Sequence, residues 1–143
     1  MPSDLQLKTM NVIHKALLTV SFGKLGQKVG GMPVLKLTTT GRKSGEARTI
    51  MLTSPVQVGD TLVIVASKGG EDTHPAWYLN LVAKPDVQVE WKGAASKRMI
   101  ATVASAAEKS ELWPKIVAAY KGYGGYQKRT ERDIPIVFLN DKE

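Results

Sequence analysis

No cysteine occurs among the 143 residues. Disulfides, thiolate metal sites and a cysteine nucleophile are therefore excluded. Histidine is nearly as scarce: His14 and His74 are the only two. A metal held by three imidazoles is excluded as well, and no metal site is expected. No apolar run is long enough to span a bilayer. The N-terminal segment lacks a secretory pattern, because Asp4, Lys8 and His14 break up its apolar stretch. A cytoplasmic location is expected. Internal repeats and low-complexity tracts are also missing, and the length suits a single domain, 1–143, with its own core.

Positive charge is what the chain has in excess. The formal net charge is +7 and the pI about 9.7. Such a balance implies an acidic partner (nucleic acid, anionic lipid or an anionic small molecule) or a solvated basic surface. Placement of the charges has to decide.

Residues 3–28 carry Leu5, Met10, Ile13, Leu17 and Val20 at roughly helical spacing, behind Ser3 as N-cap. The spacing predicts a helix packed on the core. Its basic side, with Lys8, Lys15, Lys24 and Lys28, also suits peripheral contact with anionic lipid. Residues 1–30 thus read as N-terminal helix and linker, and 33–139 as the main body. There, β-branched stretches predict strands over Pro33–Thr40, Ala47–Val58 and Thr61–Ser67. A short helix to about Ala83 follows, with Pro75 in its first turn and Thr73 or His74 as cap. Strands are predicted over Val87–Trp91 and Arg98–Ala104. Ser105 and Glu108 form a capping box for a helix to about Tyr120, interrupted near Pro114. Gly122, Gly124 and Gly125 read as a loop, Tyr126–Arg132 as a helical turn, and Ile134–Leu139 as the last strand. Hairpins dominate this order. It predicts an α+β, mainly β fold, with about six antiparallel strands and helices packed outside.

Four segments carry chemistry. In Gly41-Arg42-Lys43-Ser44-Gly45-Glu46-Ala47-Arg48, glycines free the backbone to aim N–H groups at one point while three cations and a hydroxyl converge. Guanidinium forks suit phosphate oxygens. A solvated hairpin tip is the plainer alternative. Ala66-Ser67-Lys68-Gly69-Gly70 leaves the end of a strand, where glycines permit close ligand approach. In His74-Pro75-Ala76-Trp77-Tyr78-Leu79-Asn80-Leu81, Trp77 and Asn80 share a helix face. They suit a planar ring, or else a core tryptophan and a capping asparagine. His74 reads as structural. Lastly, Tyr120, Tyr123 and Tyr126 recur every third residue in a glycine-rich stretch. Such rings with hydroxyls suit a ligand wall, stacked bases of single-stranded nucleic acid, or anchoring of a loop.

Taken together, the four segments resemble the deazaflavin-dependent nitroreductase family, split β-barrel oxidoreductases that reduce quinones and nitro compounds. The matching strings are Thr38-Thr39-Thr40-Gly41-Arg42-Lys43-Ser44-Gly45 with Arg48, the 66–70 and 74–81 segments, Lys84-Pro85-Asp86-Val87, and Tyr126-Gln127 with Arg129-Thr130 and Ile134-Pro135. They cover about residues 33 to 139. The resemblance implies a split β-barrel and coenzyme F-420, an 8-hydroxy-5-deazaflavin with a phosphate and an oligoglutamate tail. It implies that Arg42, Lys43, Ser44 and Arg48 grip the phosphate and that Thr49, Ile50, Met51, Leu52 and Thr53 lie along the cofactor. Ala66, Ser67 and Lys68, then Trp77, Tyr78, Leu79 and Asn80, and Tyr126 complete the contacts. Ser67, Tyr123 and Tyr126 would supply hydroxyls to the substrate, a flat quinone, nitroaromatic or coumarin-like lactone. Flavin mononucleotide on the same barrel is the alternative cofactor. A nucleic-acid module lacks any recognisable motif, and no nucleic-acid partner is expected. Either a monomer or a homodimer fits.

Overall fold

The computed structural model describes residues 28–29 and 32–142. Of the helix expected over 3–28, only Lys28 is described, and it lies in a strand; the rest falls outside the described residues. The elements run β1 (Lys28–Val29), β2 (Met32–Thr40), β3 (Ala47–Thr53), β4 (Val56–Val58), β5 (Thr61–Val65), a tight 3-10 turn (Lys68–Gly70), α1 (Ala76–Ala83), β6 (Asp86–Trp91), β7 (Lys97–Val103), α2 (Ala106–Ala119), α3 (Gly122–Arg129) and β8 (Ile136–Asp141). Among the described residues, the six strands of five or more residues are the six anticipated, with β1 and β4 as short additions.

Every strand pair is antiparallel, in the order β1-β2-β6-β7-β8-β5-β4, with β3 paired to β2. This order forces the sheet to curl. β3 rides on β2 near one end of the sheet and β4 on β5 at the other, yet only Ser54 and Pro55 separate them in sequence. Three residue steps reach at most about 11 Å, so the ends must meet. Ser54 stitches them. Its N–H donates to the Pro33 carbonyl at 3.0 Å, and its hydroxyl to the Val63 carbonyl at 2.6 Å. The single strand expected over 47–58 is therefore two strands. Pro55 has no N–H for a ladder, and the bonds of Ser54 are spent on both edges of the seam.

Closure explains the unbroken apolar run of β5. Leu62 and Ile64 face an interior cluster with Leu35, Leu37, Met99 and Leu139. Val63 and Val65 face an outer cluster with Leu112 and Ile116 of α2, Tyr123 of α3 and Ile136. Both faces of β5 are covered, so period-two alternation disappears. α1 closes the interior cluster with Trp77 and Leu81.

The helices carry the other corrections. α2 opens on the predicted capping box, with Glu108 N–H donating to Ser105 Oγ and Ser105 N–H to Glu108 Oε1. It runs unbroken through Pro114. The carbonyl denied its donor belongs to exposed Ser110, while Leu112 and Ile116 on either side of the proline are buried. Packing there outweighs the lost bond. Gly122–Arg129 is helix α3, not a loop followed by a turn. Tyr123 anchors it in the outer cluster, and tertiary burial overrides the poor helix propensity of glycine. Pro75 itself occupies the cap position of α1, without a side-chain cap from Thr73 or His74.

Candidate functional site

The hairpin between β2 and β3 builds the first part. Gly41 N–H donates to Glu46 O at 2.7 Å and Gly45 N–H to Gly41 O at 2.8 Å. Gly45 adopts φ +73, a left-handed conformation that favours glycine. A Cβ on Gly41 would lie 2.7 Å from Ser44 Oγ and 3.2 Å from Glu46 O, so the turn closes around a bare backbone. Arg42, Lys43, Ser44 and Arg48 all stand exposed on it. Arg48 reaches Ser44 Oγ at 3.4 Å and Glu46 at 3.6 Å, and such an exposed pair binds weakly. These are forked and point cations with a hydroxyl and free solvent access, a donor set that fits a phosphate.

Asn80 pins this turn from below. Its Oδ1 accepts Arg42 N–H at 3.1 Å and Arg42 Nη1 at 3.0 Å, while Nδ2 donates to Thr39 Oγ1 at 3.3 Å. Asn80 and Thr39 are buried, so the carboxamide is taken up within the protein. Its helix-face partner Trp77 lies in the interior cluster. Tyr78 and Leu79 are half-buried, and the Tyr78 ring packs 4.7 Å from His74.

β3 leads away from the turn, with Arg48 and Thr49 exposed, Ile50, Leu52 and Thr53 half-buried, and Met51 buried. It pairs with β2 alone among the described strands. Arg48 and Thr53 are five residues apart, roughly 17 Å along an extended strand. At the far end Thr53 Oγ1 meets Tyr123 Oη at 3.2 Å.

There the tyrosines cluster. Tyr123 lies 5.3 Å from Tyr120 and 6.1 Å from Tyr126, centroid to centroid. A hydrogen bond with Tyr120, reinforced by burial, pushes the Tyr126 pKa up to about 12. Burial also raises that of Tyr123. Both remain O–H donors at neutral pH. The 66–70 segment packs against the same helix. A Cβ on Gly70 would lie 2.7 Å from the Tyr126 carbonyl oxygen. Ala66 and Ser67 are buried, and the Ser67 hydroxyl has no partner among the described residues. Lys68 is held at φ +46, and its ammonium sits 3.4 Å from Glu71, both side chains largely buried.

Two groups thus emerge: the turn with Asn80, and Ser67, Lys68, Tyr123 and Tyr126 at the far end of β3. Pattern reading missed Arg132. Its Nε donates to Glu71 O at 2.7 Å, Nη2 to Ser67 O at 2.8 Å and Nη1 to Ala66 O at 3.3 Å, with His74 Nδ1 at 3.1 Å from Nη1. Arginine has no acceptor, so His74 Nδ1 accepts and the ring is neutral. Burial first, then the nearby Arg132 charge, lowers the His74 pKa accordingly. A polar cavity of about 300 Å³ beside the turn, lined by Thr38, Thr40, Gly45, Lys84, Gln88 and Arg98, was equally unforeseen. Neither feature has a local signature: its members converge only in the fold.

Comparison with known proteins places the chain in a family. Residues 11–141 match a family described as F420H(2)-dependent quinone reductase. The F420H(2)-dependent quinone reductase Rv1261c of Mycobacterium tuberculosis H37Rv is 38% identical over 134 residues, covering 89% of this chain and 87% of its own. A solved F420-H2 dependent reductase, FDR-A, is 36% identical with a TM-score of 0.64, over 76% of this chain and 94% of that one. Another solved structure, described as a domain-swapped dimer, is 33% identical with a TM-score of 0.69, over 93% of this chain and 99% of that one. The chain therefore belongs to the F420H(2)-dependent quinone reductase family, and is an oxidoreductase that uses coenzyme F-420 on a split β-barrel.

Proposed function

We propose that this chain holds coenzyme F-420 along β3 and presents a flat quinone beside Tyr123 and Tyr126. One observation carries the reading: β3 joins the cationic turn to the tyrosine cluster, with Arg48 at one end and Thr53 bonded to Tyr123 at the other. Arg42, Lys43, Ser44 and Arg48 grip the phosphate, with Asn80 setting the position of Arg42. Thr49, Ile50, Met51, Leu52 and Thr53 form the bed of the site; Ala66, Ser67, Lys68, Tyr78 and Leu79 flank it, and Trp77 supports it from the core. When bound, the reduced deazaflavin supplies a hydride; the protein binds, orients and keeps water away. Hydroxyls of Ser67, Tyr123 and Tyr126 donate to the substrate oxygen on which negative charge develops. Nitroaromatics and coumarin-like lactones fit the same slot as quinones.

A homodimer in the cytoplasm is part of this reading. The dimeric description of one solved relative supports the first point. For the second, among the described residues no helix is long and apolar enough to cross a membrane. Lys43→Ala or Arg48→Ala should each weaken cofactor binding by roughly 1.5–3 kcal/mol, the scale of a charge-assisted hydrogen bond. Fluorescence titration with coenzyme F-420, paired with quinone-dependent oxidation of the reduced form, measures this. Unchanged affinity in both variants would remove the turn from the site.

A further inference from the structure

We infer that Arg132 is a positioning residue for hydride transfer, fixing the segment that carries Ser67 and Lys68 against the tyrosine helix. The inference rests on Ser67 belonging to the site as proposed above.

The guanidinium offers five N–H groups in a rigid plane. Here they meet three backbone carbonyls, of Ala66, Ser67 and Glu71, and the ring nitrogen of His74. These acceptors bracket the 3-10 turn from both sides. The turn is not a relaxed one, since Lys68, a non-glycine residue, is held at φ +46. Such a conformation persists only where the surroundings over-determine it. Further restraints come from the same C-terminal stretch. Gly70 abuts the Tyr126 backbone with no room for a Cβ, and Arg129 Nη1 reaches Gly69 O at 3.5 Å. α3 and the loop after it therefore set where Ser67 stands relative to Tyr126, two of the three proposed hydroxyl donors. A lysine would keep the charge at 132 but cannot span acceptors that lie in several directions.

A residue that merely stabilises the fold is available for contrast. Lys109 ties the same C-terminal stretch, with Nζ bonded to Gln127 Oε1 and Ile134 O, both at 2.8 Å, and to Asp133. None of its hydrogen bonds goes to residues 66–74.

The test compares full-length Arg132→Lys, Arg132→Ala and Lys109→Met for thermal midpoint, coenzyme F-420 affinity, and kcat and KM for a quinone. Arg132→Lys should lose tenfold or more in kcat with the quinone KM within about threefold. Free guanidinium at low millimolar concentration should restore part of the kcat of Arg132→Ala, whereas sodium chloride at equal ionic strength should not. Lys109→Met should lose thermal stability but keep kcat within twofold. If Arg132→Ala does not fold, Arg132→Lys alone decides through its kcat and KM. A kcat for Arg132→Lys within twofold of the parent overturns the inference, as does a loss that tracks thermal midpoint as it does in Lys109→Met. Ser67→Ala separates the two levels. Impaired Ser67→Ala beside unimpaired Arg132→Lys overturns only the positioning role; normal turnover in Ser67→Ala overturns the site reading and this inference with it.

Discussion

Replacing Asn80 by alanine should damage stability and cofactor affinity by separable routes. The substitution removes the acceptor of two Arg42 bonds and the donor to Thr39. The two ends differ in cost. Arg42 is exposed, so water replaces the lost acceptor at little expense. Thr39 is 2% exposed, and its stranded hydroxyl costs about 1–3 kcal/mol. A small cavity adds roughly 1 kcal/mol. The sum, about 2–4 kcal/mol, corresponds to a melting temperature lower by roughly 5–12 °C in a domain of this size. Affinity falls for another reason: Arg42 must be ordered afresh when the cofactor binds, at about 0.5–1.5 kcal/mol for an immobilised side chain. That is roughly a two- to tenfold rise in Kd. A double-mutant cycle with Arg42→Ala, read by fluorescence titration and thermal melting, tests the reasoning. In the Arg42→Ala background, Asn80→Ala should leave Kd nearly unchanged while still lowering the melting temperature. Fully additive effects on Kd would refute the claim that Asn80 acts through Arg42.

Adjacent glycines give a second contrast. Gly70→Ala meets the Tyr126 backbone at 2.7 Å with φ +84 and should cost about 2–5 kcal/mol, whereas Gly69→Ala, at φ +65 in open space, should cost about 1–2; equal shifts in denaturant midpoint would contradict the packing. Ultraviolet titration should find Tyr126 ionising near pH 12. Because its pKa is raised on folding, its contribution to stability is complete below about pH 10 and fades toward that value, and Tyr120→Phe, by removing the largest cause, should lower the ionisation. His74 works with the opposite sign. Its folded pKa is lowered from 6.5, so the neutral ring's contribution is complete above that pH and is lost as acid protonates it against Arg132 and beside Tyr78. His74→Gln should flatten the acid limb of melting temperature against pH; an unchanged limb would place the titration elsewhere.

What was legible in the sequence were features whose partners lie close in the chain. The capping box of Ser105 and Glu108 spans three residues and forms as read. The cationic turn is a hairpin tip, and its glycines and basic residues are neighbours. Strand positions followed from β-branched runs, but the break at Ser54 did not. Its reason is the meeting of β2 and β5, which lie at distant points of the sequence. α3 was misread for a similar cause. Three glycines argue for a loop until Tyr123 is seen buried among Leu112, Ile116 and Ile136.

The least legible residues are those that bind backbone. Asn80 reaches Arg42 across 38 positions, and Arg132 reaches Ser67 across 65. Carbonyl and amide groups occur at almost every residue and carry no side-chain signature, so nothing in either local sequence marks the partner. The same holds for the junction that unites the site. Thr53 meets Tyr123 across 70 positions, because closure at Ser54 brings the end of β3 beneath α3. β3 thus joins two unlike ends. Here Arg48 charges one end and the tyrosine helix guards the other. Between them lie Thr49 to Leu52, the stretch proposed above to carry the cofactor.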